Sequence, residues 1–205
     1  MKQLIIGGAR SGKSRLAQDY AANWQAQTNG DVIIIATAEI TEGAMAKRIA
    51  HHKSNRPIQW QVIETNLDLS QALLKHSQAT NLILVDCLTL WLSNTLLSKR
   101  CWQHEKQALL NALQQLPGEV VFISNEVGQG VVPLGELSRE FVDESGWLHQ
   151  ALAKQLDKVT MAVAGLPLVL KSPVHTQRDP NSVVNSTVAN CSSVIRSANT
   201  KSLEA

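Results

Sequence analysis

The amino-acid sequence predicts an α/β fold in which a mostly parallel sheet is flanked by helices. Runs rich in Val and Ile alternate along the chain with longer runs of helical spacing, as in proteins built from β-α-β units. These apolar runs are nearly continuous, which is typical of strands buried on both faces. A length of 205 residues is enough to bury a sizeable core and favours one domain.

Four stretches are predicted to be strands: QLIIGG (3–8), DVIIIATA (31–38), NLILVDC (81–87) and EVVFISNE (119–126). Helices are predicted between them, one following Lys13 and others over 42–52, 67–76, 88–97, 104–115 and 136–156. The last apolar segment, VTMAVAGLPLVLK, differs because Gly165 and Pro167 interrupt it. It predicts a C-terminal hairpin that adds antiparallel strands to the sheet edge.

The composition changes after Lys171, which predicts a domain of residues 1–171 followed by a polar tail of residues 172–205. The tail has no aromatic residue and is rich in Ser, Asn and Thr. Such a segment buries little surface against its ordering cost, so we expect it to be mobile or loosely docked. The alternative is that VVNSTVANCSSVI adds an edge strand or covers a neighbouring subunit, since β-branched residues are frequent there.

Charge and cysteine content narrow the classes of function. Nineteen basic and seventeen acidic residues give a net charge of +2, far from the basic excess of a dedicated nucleic-acid binder. Three cysteines without a Cys-x-x-Cys pair favour reduced thiols in a cytoplasmic protein. No apolar run approaches membrane-spanning length, and the start MKQLIIGG is typical of a first strand and not of a signal peptide.

The stretch GGARSGKS, residues 7–14, matches the P-loop pattern Gly-x-x-x-x-Gly-Lys-Ser. It lies between a predicted strand and a predicted helix, as the phosphate-binding mechanism requires. Backbone N–H groups and the helix N-terminus would hold phosphate oxygens. Lys13 would contact the β- and γ-phosphates, and the Ser14 hydroxyl would bind Mg²⁺. This motif makes the predicted sheet P-loop NTPase-like, of the RecA-like kind.

Asp86 ends the strand pattern NLILVDC, where P-loop proteins place an acid that helps to hold Mg²⁺. With Ser14 it would supply hard oxygen ligands from the ends of strands that we expect to be neighbours. The alternative is that Asp86 caps the helix that follows it.

Two adjacent histidines lie in the stretch AKRIAHHKSNRPIQW, residues 46–60. On a helix, His52 shares a stripe with apolar residues and would face the ligand crevice, whereas His51 would lean towards solvent. Lys53 and Arg56 add positive charge just after them. A neutral imidazole can attack phosphorus to give a phosphoramidate. On periodicity alone, a structural role for both histidines remains the alternative.

Five segments, in this order and spacing, closely resemble the adenosylcobinamide kinase/adenosylcobinamide-phosphate guanylyltransferase family of cobalamin biosynthesis: GGARSGKSRLA, IATAEI, AKRIAHHKSNRP, LVDCLTLWLSN and SNEVGQGVVP. The match covers about residues 1–171. The resemblance implies a bifunctional enzyme. It would phosphorylate adenosylcobinamide with ATP or GTP, then transfer GMP from GTP to adenosylcobinamide phosphate, releasing pyrophosphate.

The resemblance also implies roles for particular residues. His52, the second histidine of the pair, would carry GMP covalently. Nucleotide contacts carry over to Gly7, Gly8, Ala9, Arg10, Ser11, Gly12, Lys13, Ser14, Ala36, Thr37, Ala38, Lys53, Ser54, Asn55, Arg56, Glu64 and Asp86. Mg²⁺ would be held by Ser14 and Asp86, and the protein would form a homotrimer. The role of Glu126 stays open among a base for the kinase hydroxyl, a nucleotide contact and a loop stabiliser.

Two other classes of function are alternatives. A P-loop small-molecule kinase would form no covalent nucleotidyl intermediate. A RecA-like nucleic-acid ATPase would need a basic groove and aromatic stacking platforms. The net charge of +2, with only two Phe and one Tyr, disfavours the second alternative.

Overall fold

The computed structural model describes residues 1–38 and 59–172. The helix expected over 42–52 and the expected tail of residues 172–205 lie outside these ranges, apart from residue 172. The described chain forms seven strands and five helices. The strands are β1 (Lys2–Gly7), β2 (Asp31–Ala36), β3 (Gln61–Glu64), β4 (Asn81–Asp86), β5 (Glu119–Asn125), β6 (Lys158–Val163) and β7 (Leu166–Lys171). The helices are α1 (Lys13–Thr28), α2 (Leu69–His76), α3 (Leu88–Leu97), α4 (Trp102–Gln115) and α5 (Glu136–Gln155).

All seven strands belong to one sheet with the order β3-β2-β4-β5-β1-β6-β7. Every adjacent pair is parallel except β6 and β7, which are antiparallel. The expected α/β fold, a mostly parallel sheet with a C-terminal hairpin, is confirmed.

The alternation of side chains along each strand divides the core into two layers. On one face, Leu82 and Leu84 of β4 pack with Ala17 and Ala21 of α1. On the opposite face, the neighbouring residues of the central strands pack against the other helices in a larger cluster that includes Trp91. Because both faces are covered, the central strands need apolar residues at nearly every position, which explains their continuous apolar runs.

Three details of the expected fold were wrong. The strand β3 was missed because it has only four residues, of mixed polarity, on the sheet edge. The hairpin adds only one antiparallel strand, since β6 runs parallel to β1. The strands that precede the P-loop and end at Asp86 are not neighbours, because β5 pairs with both β1 and β4 and lies between them.

None of the helices in the part of the chain that the structure describes is long and apolar enough to span a membrane.

Candidate nucleotide-binding site

The register of the sheet brings the ends of its parallel strands to one edge. Ala36 at the end of β2 is opposite both Glu64 of β3 and Asp86 of β4. At the other side of the sheet, Gly7 at the end of β1 is opposite Asn125 of β5. Ligands of open parallel sheets bind at this carboxyl edge. The structure therefore brings to this edge the P-loop and the predicted segments that end β2, β4 and β5.

The P-loop turns sharply from β1 into α1. Arg10 and Gly12 have left-handed backbones, with φ of 57° and 94°. The Ser11 N–H donates to the Gly8 carbonyl at 3.3 Å, and the Leu16 N–H donates to the Gly12 carbonyl at 3.0 Å. Glycine suits position 12 because a side chain in this conformation is strained. The motif thus makes the tight turn between β1 and α1 that its glycines predict.

Lys13 is the first residue of α1, and its side chain is buried. Its Nζ donates to the carbonyl of Gly8 at 3.0 Å. The loop leads directly into the N-terminus of α1 at Gly12, so the positive end of the helix dipole faces the loop. The ammonium group and the helix terminus both concentrate positive charge at the P-loop.

The turn between β6 and β7 braces the P-loop. The Gly165 N–H donates to the Ser11 carbonyl at 2.9 Å, and Arg15 donates through Nη2 to the Gly165 carbonyl at 3.3 Å. Ala164 and Gly165 both have positive φ, 51° and 81°. The sequence predicted a turn here, but it held no signal that the turn would contact the P-loop.

Asp86 lies at the junction of β4 and α3. The N-cap of α3 is Cys87 and the helix begins at Leu88, so Asp86 precedes the cap. The buried Thr37 joins this junction to β2: its N–H donates to the Asp86 carbonyl at 3.1 Å, and its hydroxyl bonds both main-chain groups of Cys87, at 2.6 and 2.9 Å. Asn94 then donates to the Thr37 carbonyl at 2.9 Å. Thr37 therefore fixes the backbone that carries Asp86.

A buried polar cluster lies behind the end of β5. His149 Nε2 is 2.7 Å from the Ser124 hydroxyl, and the Ser124 hydroxyl is 3.3 Å from that of Thr89. His149 Nδ1 lies 3.9 Å from Glu126 Oε2. Burial lowers the pKa of His149, and the Glu126 carboxylate only partly opposes this effect. The buried environment therefore favours the neutral imidazole.

Sequence reasoning missed His149, Ser124 and Thr89. A signal for His149 was available, because it shares a helical stripe with the buried residues Ser145 and Leu152. A histidine on an apolar stripe needs a buried partner, and helical spacing alone does not name that partner.

A cavity of about 410 Å³ opens beside the segment that follows Glu126. Its lining is largely apolar and comprises Ser93, Leu96, Leu97, Val127, Pro133, Leu137, Ser138, Phe141 and Val142. It lies between α3 and α5.

Some of the other predicted site residues lie within the described ranges, and some lie outside them. Glu64 is exposed at the end of β3, whereas Ala36 is buried at the end of β2. His52 and the predicted contacts Lys53, Ser54, Asn55 and Arg56 lie outside the described residues.

The described sheet order and the P-loop define a P-loop NTPase-like α/β protein, with one strand inserted between the P-loop strand and the strand that ends at Asp86. The chain belongs to the cobinamide kinase/cobinamide phosphate guanyltransferase family, whose model matches residues 3–170. This confirms the family that the five sequence segments indicated.

Proteins similar to this chain occur in several bacteria. The bifunctional adenosylcobalamin biosynthesis protein CobP of Pseudomonas aeruginosa is 51% identical over 173 residues, which cover 83% of this chain and 98% of that protein. The bifunctional adenosylcobalamin biosynthesis protein CobU of Salmonella typhimurium is 34% identical over 186 residues, covering 83% and 100%. Its Escherichia coli namesake is 32% identical over the same shares.

Proposed function

We propose that this chain phosphorylates adenosylcobinamide with ATP or GTP and then transfers GMP from GTP to adenosylcobinamide phosphate. The products of the second reaction would be adenosylcobinamide-GDP and pyrophosphate. The observation that carries the proposal is the braced P-loop with the buried Lys13 at its mouth. Family membership and relatives whose names include "bifunctional adenosylcobalamin biosynthesis protein" supply the acceptor class.

The P-loop would hold the nucleotide phosphates in both reactions. Its contacts would come from the main chain of Gly7, Gly8, Ala9, Arg10, Ser11 and Gly12, and from the side chains of Lys13 and Ser14. In the kinase reaction, Lys13 would stabilise charge that develops on the transferred phosphoryl group. In the guanylyl transfer, the same charge would stabilise the leaving pyrophosphate. One nucleotide site would then serve both reactions.

Ser14 and Asp86 fit a Mg²⁺ ion because a hydroxyl and a carboxylate are hard oxygen donors. Ser14 is half-buried in the first turn of α1, and Asp86 is half-buried at the same edge of the sheet. When bound, Mg²⁺ would neutralise phosphate charge. Thr37 supports this assignment because its hydrogen bonds fix the backbone at Asp86.

His52 would act as the nucleophile of guanylyl transfer. Its ring nitrogen would form a bond to the α-phosphorus of GTP while the bond from that phosphorus to pyrophosphate breaks. An oxygen of the corrinoid phosphate would then form a bond to the same phosphorus and release His52. Lys53 and Arg56 would stabilise charge on the transferred group. Ala36, Thr37, Ala38, Ser54, Asn55 and Glu64 would complete the nucleotide contacts.

The test is to incubate the protein with Mg²⁺ and GTP labelled at the α-phosphate, denature it, and map the label by mass. We expect label on His52 through a bond that acid hydrolyses and alkali leaves intact, because protonated nitrogen is a good leaving group. His52→Ala should abolish labelling and spare much of the corrinoid phosphorylation. His51→Ala is the matched control and should still be labelled.

Two outcomes would contradict the proposal. Active protein that stays unlabelled would leave a P-loop kinase without a covalent intermediate. Loss of label in the His51 variant alone would reverse the assignment between the two histidines.

We also propose that the protein works as a cytoplasmic homotrimer without a nucleic-acid partner. Light scattering on the purified protein tests the trimer directly, and a monomeric mass would contradict it.

A further inference from the structure

A chain of polar groups connects three elements behind the P-loop. The Asn125 N–H donates to Thr89 Oγ1 at 2.7 Å, and Thr89 Oγ1 is 3.3 Å from Ser124 Oγ. Ser124 Oγ is 2.7 Å from His149 Nε2, and His149 Nδ1 is 3.9 Å from Glu126 Oε2. Thr89, Ser124 and His149 are all buried, with at most 9% of each residue exposed. The buried part of this chain therefore links α3, β5 and α5, and the chain ends at the partly exposed Glu126.

The charge of Glu126 favours one direction for the protons along this chain. If Ser124 donates to His149 Nε2, the proton of the neutral imidazole lies on Nδ1 and points towards the Glu126 carboxylate. The Thr89 hydroxyl can then donate to Ser124 while it accepts from Asn125. The opposite direction would place the lone pair of Nδ1 against a carboxylate, which is repulsive in a buried setting.

The main chain of Glu126 lies beside the start of the P-loop. Its N–H donates to the Gly7 carbonyl at 3.0 Å. Its Oε1 accepts the Gly128 N–H at 2.7 Å, whereas Oε2 faces His149. The side chain is 19% exposed. One carboxylate oxygen is thus held by the loop, and the other lies 3.9 Å from His149 Nδ1, beyond a direct hydrogen bond but within range of an electrostatic attraction.

We propose that Glu126 is the base of the kinase reaction and that His149 is the positioning residue that holds its carboxylate. This inference rests on the function proposed above. The acceptor hydroxyl oxygen forms a bond to the γ-phosphorus, the bond between that phosphorus and the β,γ-bridging oxygen breaks, and a nucleoside diphosphate leaves. The hydroxyl proton passes to the Glu126 carboxylate and then to solvent. Guanylyl transfer from GTP to His52 involves no such hydroxyl and does not need this base.

The test compares two activities in the same variants: kcat and KM for phosphorylation of adenosylcobinamide, and protein labelling by α-labelled GTP. Glu126→Gln should lower the kinase kcat by about 100-fold or more, the usual range for a lost general base. Labelling should stay near that of the unaltered protein. His149→Ala should lower the kinase kcat by about 10-fold, with a smaller change in KM, since the base is present but less well placed.

Two conservative variants separate positioning from a purely structural role. The amide nitrogen of Asn reaches roughly as far as Nδ1, and that of Gln reaches roughly as far as Nε2. His149→Asn should therefore restore part of the lost kcat because it can still direct an N–H group towards the Glu126 carboxylate. His149→Gln can contact Ser124 instead and should restore less. Glu144→Gln is the matched control on the same helix, because Glu144 is buried against Trp102, Gln103 and Lys106 and should alter stability without altering kcat.

Several results would overturn the inference. One is a kinase kcat that is unchanged in Glu126→Gln. Another is an equal loss of kinase activity and of labelling in that variant. A third is a higher kinase kcat in His149→Gln than in His149→Asn. If His149→Ala does not fold, Ser124→Ala removes the partner of Nε2 and should lower the same kcat. Absence of corrinoid phosphorylation in the unaltered protein would instead overturn the proposed function itself.

Discussion

Substitution of Gly165 by Ala tests whether the β6–β7 turn supports the P-loop. Gly165 has φ of 81°, and a left-handed conformation costs an L-residue about 1–2 kcal/mol. A Cβ added to Gly165 would lie 3.0 Å from Arg15 Nη2, which is the end of a flexible side chain and can move. The two glycines also approach closely: a Cβ placed on Gly12 would lie only 2.9 Å from the Gly165 Cα. The turn therefore has little room to shift without moving the P-loop.

We expect Gly165→Ala to lower the free energy of unfolding by about 1–2 kcal/mol. For a chain of this length the thermal midpoint should fall by roughly 2–8 °C. If the turn moves to relieve the strain, the bond from the Gly165 N–H to the Ser11 carbonyl is weakened, and GTP should bind several-fold more weakly. Urea unfolding and calorimetric titration with GTP and Mg²⁺ measure the two effects.

Ala164→Gly is the matched control in the same turn. Ala164 has φ of 51°, so glycine relieves strain there, and this variant should be as stable as the unaltered protein or more so. Gly165→Ala with undiminished stability would refute the strain argument. A loss of stability with unchanged GTP affinity would refute the coupling between the turn and the P-loop.

Three further predictions concern other parts of the molecule. Lys13→Ala should lower phosphorylation and guanylyl transfer together, each by about 100-fold or more, with little change in the thermal midpoint; a variant that loses only one activity would indicate separate nucleotide sites. Truncation after Lys171 should leave both activities, the thermal midpoint and the oligomer unchanged, because the family model matches residues 3–170; loss of the oligomer would show that the tail packs. Burial alone raises the pKa of Glu144, but hydrogen bonds from Lys106 and Trp102 outweigh it and hold that pKa below its ordinary value. The resulting stability is present above the ordinary glutamate pKa of about 4.3 and is lost as the pH falls through the lowered value of the folded state. Urea unfolding at pH 3 to 6 should therefore show a shallower acid loss in Glu144→Gln than in the unaltered protein, and equal slopes would contradict this.

Most of the elements and the P-loop motif could be predicted from local sequence patterns alone. The strands that carry the site are buried on both faces, so their apolar runs were readable without knowing their neighbours. The helix α3 was predicted at its observed bounds, 88–97, because it follows directly on such a strand. The P-loop was equally readable because its glycines, Lys13 and Ser14 act within eight consecutive residues.

Which elements contact one another became clear only from the folded chain. The order of strands is set by pairing between distant segments, and no local pattern placed β5 between β1 and β4. For the same reason no local pattern predicted that Gly165 would bond to Ser11, or that His149 would lie between Ser124 and Glu126. Periodicity records which face of an element is buried, because burial depends on the element's own side chains. The partner of a buried polar group depends on how the whole sheet and its helices pack, and that information exists only in the folded chain.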